Sequence, residues 1–294
     1  MSDRISELPR AGAARAGYGW TFISLASLGR NTVWSYVATL LRIVLVPPAF
    51  LVLGMVALVA AGGTGWLRGS AMPAVAALAV AAVIAAGLAL VWGVVRSHRR
   101  PWMSLISPDL RLDWRRLAIG AAVEMLLLGL TIALGHWLAG QPWPSGSSMT
   151  LPALAAILLL IPFQSASEEM LFRGYLTQAL GRRSRHRIVI VTVVGVVFGA
   201  LHFNAYGALT LPYLFVLSLI FSLVSLRDER LELVIGAHTA NNWFAFSAFD
   251  LFGKSGQMAR LEWPALALLI VNGALFYAAT RLLVERLCRP LPAR

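Results

Sequence analysis

Residues 151–176 read "LPALAAILLLIPFQSASEEMLFRGYL". The first half, through Phe163, is as apolar as a lipid tail. The second half holds Gln164, Glu168, Glu169 and Arg173. Crossing ~30 Å of hydrocarbon takes ~20 residues of helix, so this stretch is long enough to be a membrane span. An ionisable side chain at the bilayer centre costs ~2.5–3.5 kcal/mol on insertion scales, so a chain that keeps three of them there uses them.

The rest of the sequence sets that cost in context. Of the 294 residues, 59% are hydrophobic and only 13% are charged. Soluble domains carry about one-quarter charged residues, so this composition is that of a polytopic membrane protein. Lys and Arg number 25 against 13 Asp and Glu. These basic residues are spread over loops between apolar runs, not gathered on one face, which argues for positive-inside bias and against nucleic-acid binding. The single cysteine, Cys288, excludes a disulfide framework and a multi-cysteine metal site.

Apolar runs predict an all-α, polytopic transmembrane helical bundle of about eight spans. They fall at 43–61, 71–95, 117–139, 151–180, 188–205, 208–226, 232–249 and 263–284, with a short turn at 204–207. Arginine placement orients them. One set of loops and tails holds 22 of the 25 basic residues, and the other holds only Arg68, Lys254 and Arg260. This reading places a multi-pass protein in the cell membrane with both termini cytoplasmic and the uncharged 140–150 loop outside. The chain divides into a cytoplasmic N-terminal arm (1–42), three accessory spans (43–150), a catalytic core (151–250), and a last span with cytoplasmic tail (251–294). The arm lacks a compact apolar stretch with a small-residue cleavage site, so it is not read as a signal peptide.

Polar residues inside spans carry the chemistry. The acids are Glu124, Glu168 and Glu169, and the histidines are His202 and His238. Glu168 and Glu169 point ~100° apart on a helix and cannot share one task. Glu169 and Arg173 are i, i+4 in the favourable order, which reads as an ion pair that leaves Glu168 free. Gln164 lies on the Glu168 face, and Pro162 just before it is a candidate kink. "VFGALHFN" sets Phe198 and His202 at i, i+4, and "GAHTANNWF" does the same for His238 and Asn242. Counted at ~1.5 Å per residue from the cytoplasmic ends, Glu168 is ~18 Å deep, His202 ~21 Å and His238 ~10 Å. His238 is shallow by this count. Taken singly, Glu124 reads as a helix–helix hydrogen-bond partner, and either histidine as packing. One free carboxylate, two imidazoles and an amide on three spans read together as a site.

At these residues the sequence resembles the CAAX-protease and bacteriocin-processing (CPBP, or Abi) family of intramembrane proteases, which includes the type II CAAX prenyl endopeptidases. "EEMLFRG" matches its E-E-x-x-x-R motif at Glu168, Glu169 and Arg173, Phe198 and His202 match F-x-x-x-H, and His238 and Asn242 match H-x-x-x-N. The charged approach "RDERLEL" before the third motif departs from the milder turn expected there. The resemblance covers about 155–247. It implies an endopeptidase acting on a membrane-associated, prenylated or leader peptide, with the lipid bilayer as its other partner and no nucleic acid.

The site residues so read are Glu168, Glu169, Arg173, His202, His238 and Asn242, with no cofactor and no metal. Glu168 is the general base and then acid, His202 shares the water, and His238 and Asn242 donate to the oxyanion. A zinc version would use Glu168, His202 and His238 as ligands, although the chain has no H-E-x-x-H. Two other classes compete. A proton-coupled transporter would use the same groups as a relay, but no second half echoes "EEMLFRG". A non-catalytic scaffold would have no need of the full set.

Overall fold

The computed structural model describes residues 20–62, 72–138, 140, 151–203, 209–248 and 263–288. Every regular element among them is a helix. A short α1 (Trp20–Ser24) precedes α2 (Val33–Gly62), α3 (Met72–Gly93), α4 (Trp114–Leu138), α5 (Leu151–Glu169), α6 (Thr177–Gly181), α7 (Arg187–Leu201), α8 (Thr210–Asp228), α9 (Glu232–Ala248) and α10 (Trp263–Leu287). A π-helical segment, Met170–Leu176, joins α5 to α6 without a break, and a second, Val94–His98, prolongs α3.

Local chemistry places the helix starts. Thr32 accepts the Ser35 N–H at 3.2 Å, and Asp113 Oδ1 accepts the Arg115 N–H at 3.0 Å, so each residue caps a first turn. The first long helix thus begins at Val33, ahead of the span expected from 43. Pro162 lies within α5, which stays α-helical to Glu169. The wider π turns come later, over the second half of the opening stretch. There the Thr177 hydroxyl donates to the Phe172 carbonyl five residues back, at 2.9 Å. Such π segments are frequent at functional sites.

Helices occupy all eight ranges expected to be spans, and among the described residues six are long and apolar enough to cross a membrane. These are Val33–Ala57, Ala77–His98, Trp114–Gly135, Leu154–Gly181, Thr210–Asp228 and Leu266–Leu287. The other two, α7 and α9, have 15 and 17 residues. At ~1.5 Å per residue they reach ~22 and ~25 Å, short of the ~30 Å core. The turn expected at 204–207 and the uncharged loop 141–150 lie outside the described residues.

Polarity is inverted, as lipid demands. Trp34, Leu41, Leu53, Leu126, Leu130 and Ile188 are exposed, while Gln164, Glu168, Glu169, Arg173 and His238 are buried. In water, such outer faces would be large apolar patches.

The closest pairing is α4 against α9, made by two glycines. A Cβ on Gly236 would lie 2.1 Å from the Leu117 carbonyl oxygen, and one on Gly120 would lie 2.0 Å from that of Leu233. Without Cβ atoms the two backbones meet, the usual role of small residues between membrane helices. On its other side α9 packs on α5, and α3 packs on α5 as well.

The first residues of α9 are roofed over. Leu231, Glu232 and Leu233 are fully buried. The Leu231 N–H donates to the Ile106 carbonyl at 3.0 Å. The charged turn "RDERLEL", unexpected in the family pattern, is an ion-paired joint. Arg116 pairs with Asp228, Arg230 pairs with Asp109, Arg230 meets Glu232 at 2.9 Å, and Glu232 accepts the Asp113 N–H at 3.1 Å. Burial alone would lower the Arg230 pKa, but Glu232 and Asp109 more than offset it and hold it above the ordinary arginine value. Depth counted from Glu232 therefore understates how far His238 lies from water.

Candidate active site

Three helices aim the polar residues at one point between them. On α5 the i, i+4 spacing brings the Gln164 amide to Glu168, with Nε2 donating to Oε1 at 2.7 Å. One position further, Glu169 is fully buried and pairs with Arg173 of the π segment at 2.9 Å. The Arg173 guanidinium lies over the rings of Phe198 from α7 and Phe221 from α8, 4.5 and 5.6 Å from their centroids. Cation–π attraction supplements the single hydrogen bond this buried cation makes.

From α9, His238 reaches both glutamates. Its Nδ1 is 2.7 Å from Glu169 Oε1, and its Nε2 is 3.4 Å from Glu168 Oε2. A carboxylate oxygen accepts, so Nδ1 carries the proton given to Glu169. The Nε2 edge then faces Glu168 Oε2, and a proton between them makes the contact attractive.

His202 stands at the C-terminal end of α7, on the other oxygen of Glu168. Its Nδ1 is 2.8 Å from the Phe198 carbonyl, which accepts, so Nδ1 is again protonated and in the neutral ring Nε2 is an acceptor. Nε2 is 3.9 Å from Glu168 Oε1. That is too long for a hydrogen bond, and both atoms are acceptors. A molecule with two O–H donors bridges such a pair. The His202 side chain is 32% exposed, against 10% for Glu168, so the open edge of the cluster is on this side.

Asn242, one turn beyond His238, donates through Nδ2 to Gln164 Oε1 at 2.8 Å. Gln164 thus links Asn242 to Glu168. All six residues read from the sequence come together in one cluster. Glu168 is not left free, as the pairing of Glu169 with Arg173 suggested, but is held by Gln164 and flanked by both imidazoles. Sequence reasoning noted the position of Gln164 but gave it no part in the site. The signal was an amide four residues before the key carboxylate in an otherwise apolar helix. Phe221 carried no signal, since nothing in the α8 sequence separates it from packing. Glu124 meets the Asn241 side chain across the α4–α9 contact, outside this cluster. Among the described residues, no three His, Cys, Asp or Glu side chains are arranged to hold a metal ion.

Fold and site together define a polytopic helical membrane protein with a glutamate–histidine–asparagine cluster buried in its bundle. Residues 148–244 match the family model of the Rce1-like proteins, "Type II CAAX prenyl endopeptidase Rce1-like". The matched segment contains all six site residues, in agreement with the resemblance read from the three motifs. The "Uncharacterized protein YyaK" of Bacillus subtilis (strain 168) is 30% identical over 164 residues, which are 52% of this chain and 54% of that protein. The match thus spans about half the length of that relative. No solved structure matches the chain.

Proposed function

We propose that this protein is an intramembrane endopeptidase that hydrolyses a peptide bond of a membrane-associated or prenylated peptide, with Glu168 as general base. The observation that carries the reading is the pair Glu168 Oε1 and His202 Nε2, 3.9 Å apart at the open edge of a buried cluster. A water at about 2.8 Å from each satisfies both. Glu168 takes one of its protons as the oxygen attacks the scissile carbonyl carbon. The proton passes to the leaving amine as the C–N bond breaks, so Glu168 ends as it began. The oxyanion receives the Nε2–H of His238 and the second N–H of Asn242, both in a low-dielectric site where fixed donors count most. Glu169, itself paired with Arg173, orients the His238 ring through Nδ1. No step is assigned to a metal or cofactor.

The test is incubation of the purified full chain with farnesylated C-terminal peptides, with products read by mass spectrometry. Cleavage that persists after prolonged chelation supports the glutamate mechanism. Loss on chelation with recovery on added zinc refutes it in favour of the zinc form, and no cleavage of any membrane-associated peptide refutes the endopeptidase reading.

The chain is further proposed to lie in the cell membrane with both termini cytoplasmic, on the 22-to-3 asymmetry of its basic residues. Cysteines introduced at Ser184 and Ser147, with Cys288 replaced by serine, should label from opposite sides. Labelling of both from one side would overturn the orientation.

A further inference from the structure

Just past the end of α6, in the same continuous helical run as Glu168 and Arg173, Arg182 and Arg183 are exposed. With Asn31, Tyr36, Ala179 and Leu180 they line a cleft of about 460 Å³ against the first turn of α2. No carboxylate lines it, and among the described residues neither guanidinium has an ion-pair partner. A third cation stands behind. Arg100 is buried, donates to Gln178 Oε1 at 2.7 Å, and leaves its Nε without a partner. Arg100, Arg182 and Arg183 are the charged groups acting on the Tyr36 hydroxyl. The polar wall is fixed in place, because Tyr36 donates to Asn31 Oδ1 at 2.7 Å while Asn31 Nδ2 donates to the Ala26 carbonyl at 2.7 Å. The N-terminal dipole of α2 adds to the positive potential.

Uncompensated arginines around a cleft select an anion, and the guanidinium fork suits phosphate. The surroundings select a lipid. Val33 and Trp34 at the start of α2 are exposed, as are Leu40, Leu41 and Val44 further along it. This is an apolar outer face that starts beside the cleft, with a tryptophan where headgroups lie. We propose that the cleft binds the phosphate of an anionic membrane lipid between the Arg182 and Arg183 guanidinium groups, with the acyl chains along the outer face of α2. Basic pockets at the ends of membrane helices recognise headgroups by this chemistry. A lipid so placed joins α2 to the end of the helix that carries Glu168 and Arg173.

The test uses the purified full chain in neutral detergent and native mass spectrometry, with phosphatidylglycerol, phosphatidylcholine and inorganic phosphate as probes. Phosphatidylglycerol should bind about 10- to 30-fold more tightly than phosphatidylcholine, the preference expected of two surface arginines. The variant Arg182→Ala/Arg183→Ala should lose that preference, and Arg111→Ala/Arg115→Ala should keep it. Should the alanine pair fail to accumulate, Arg182→Gln/Arg183→Gln replaces it. Equal binding by the cleft variant, an equal loss in the control pair, or displacement of the lipid by millimolar inorganic phosphate would each overturn the proposal. The readout is binding, so failure here leaves the endopeptidase reading standing, and absence of proteolysis leaves this site standing.

Discussion

Glu168→Gln lowers peptide-bond hydrolysis by ~10²- to 10⁴-fold, the range that a positioned general base contributes, while the protein folds as before. Both halves of this expectation come from the same contacts. The amide keeps an oxygen to accept from Gln164 Nε2, now 2.7 Å away. Its NH2 replaces Oε2, which faces His238 Nε2 at 3.4 Å, and can donate to that nitrogen without a shared proton. The cluster therefore retains these contacts. What it loses is an atom able to take a proton from water. Turnover at fixed substrate and the unfolding midpoint in detergent are the two measurements. Retained proteolysis would refute the mechanism, and a large drop in midpoint would assign Glu168 a structural part.

Arg173→Ala, by contrast, should remove stability and activity together. Glu169 is fully buried, its Oε2 has no hydrogen-bond partner, and its Oε1 serves both Arg173 and His238. Removing the guanidinium leaves a buried carboxylate with no permanent countercharge, a loss of ~3–5 kcal/mol for a broken buried pair. It also opens a cavity between Phe198 and Phe221, whose faces the guanidinium covers. His238 Nδ1, 2.7 Å away, is then the remaining partner of Glu169 Oε1. Arg173→Lys restores the charge but not the planar stack, and should recover part of the stability. Wild-type thermal stability in Arg173→Ala would show that the pair does not hold the site.

Spacing along the chain reveals which residues share a helix face, and much of this molecule was legible in that way. The i, i+4 relations of Gln164 with Glu168, Glu169 with Arg173, and His238 with Asn242 all appear as side-chain alignments within one helix. Hydropathy located the long helices to within several residues at most ends. What spacing does not encode is how helices are rotated and offset against each other. The bridge from Asn242 through Gln164 to Glu168 crosses two helices, and so does the approach of His238 to Glu169. The π segment after Glu169 was equally hidden, since no residue in "MLFRGYL" dictates a wider turn. Two expected spans, α7 and α9, are shorter than the apolar runs over which they were read, because apolarity was measured without helix ends. His238 seemed shallow for a related reason. The segment over α9 is polar enough to read as a loop in water, yet it buries Leu231 through Leu233.

The glycine contact between α4 and α9, together with the ion-paired joint at one end of α9, makes mechanical partners of these two helices. Backbones in direct contact have no side-chain layer to slide on, and the charged turn fastens the pair to the segment before α4. They are expected to move as one lever. The cluster, however, is divided between that lever and the rest, with His238 and Asn242 on one part and Gln164, Glu168 and His202 on the other. On the proposed mechanism, opening a path for a peptide between these parts would separate the donors from the base, and closing would restore their alignment. A covalent link between α4 and α9 should leave turnover intact, while one between α5 and α9 should stop it, and the reverse result would place the hinge elsewhere.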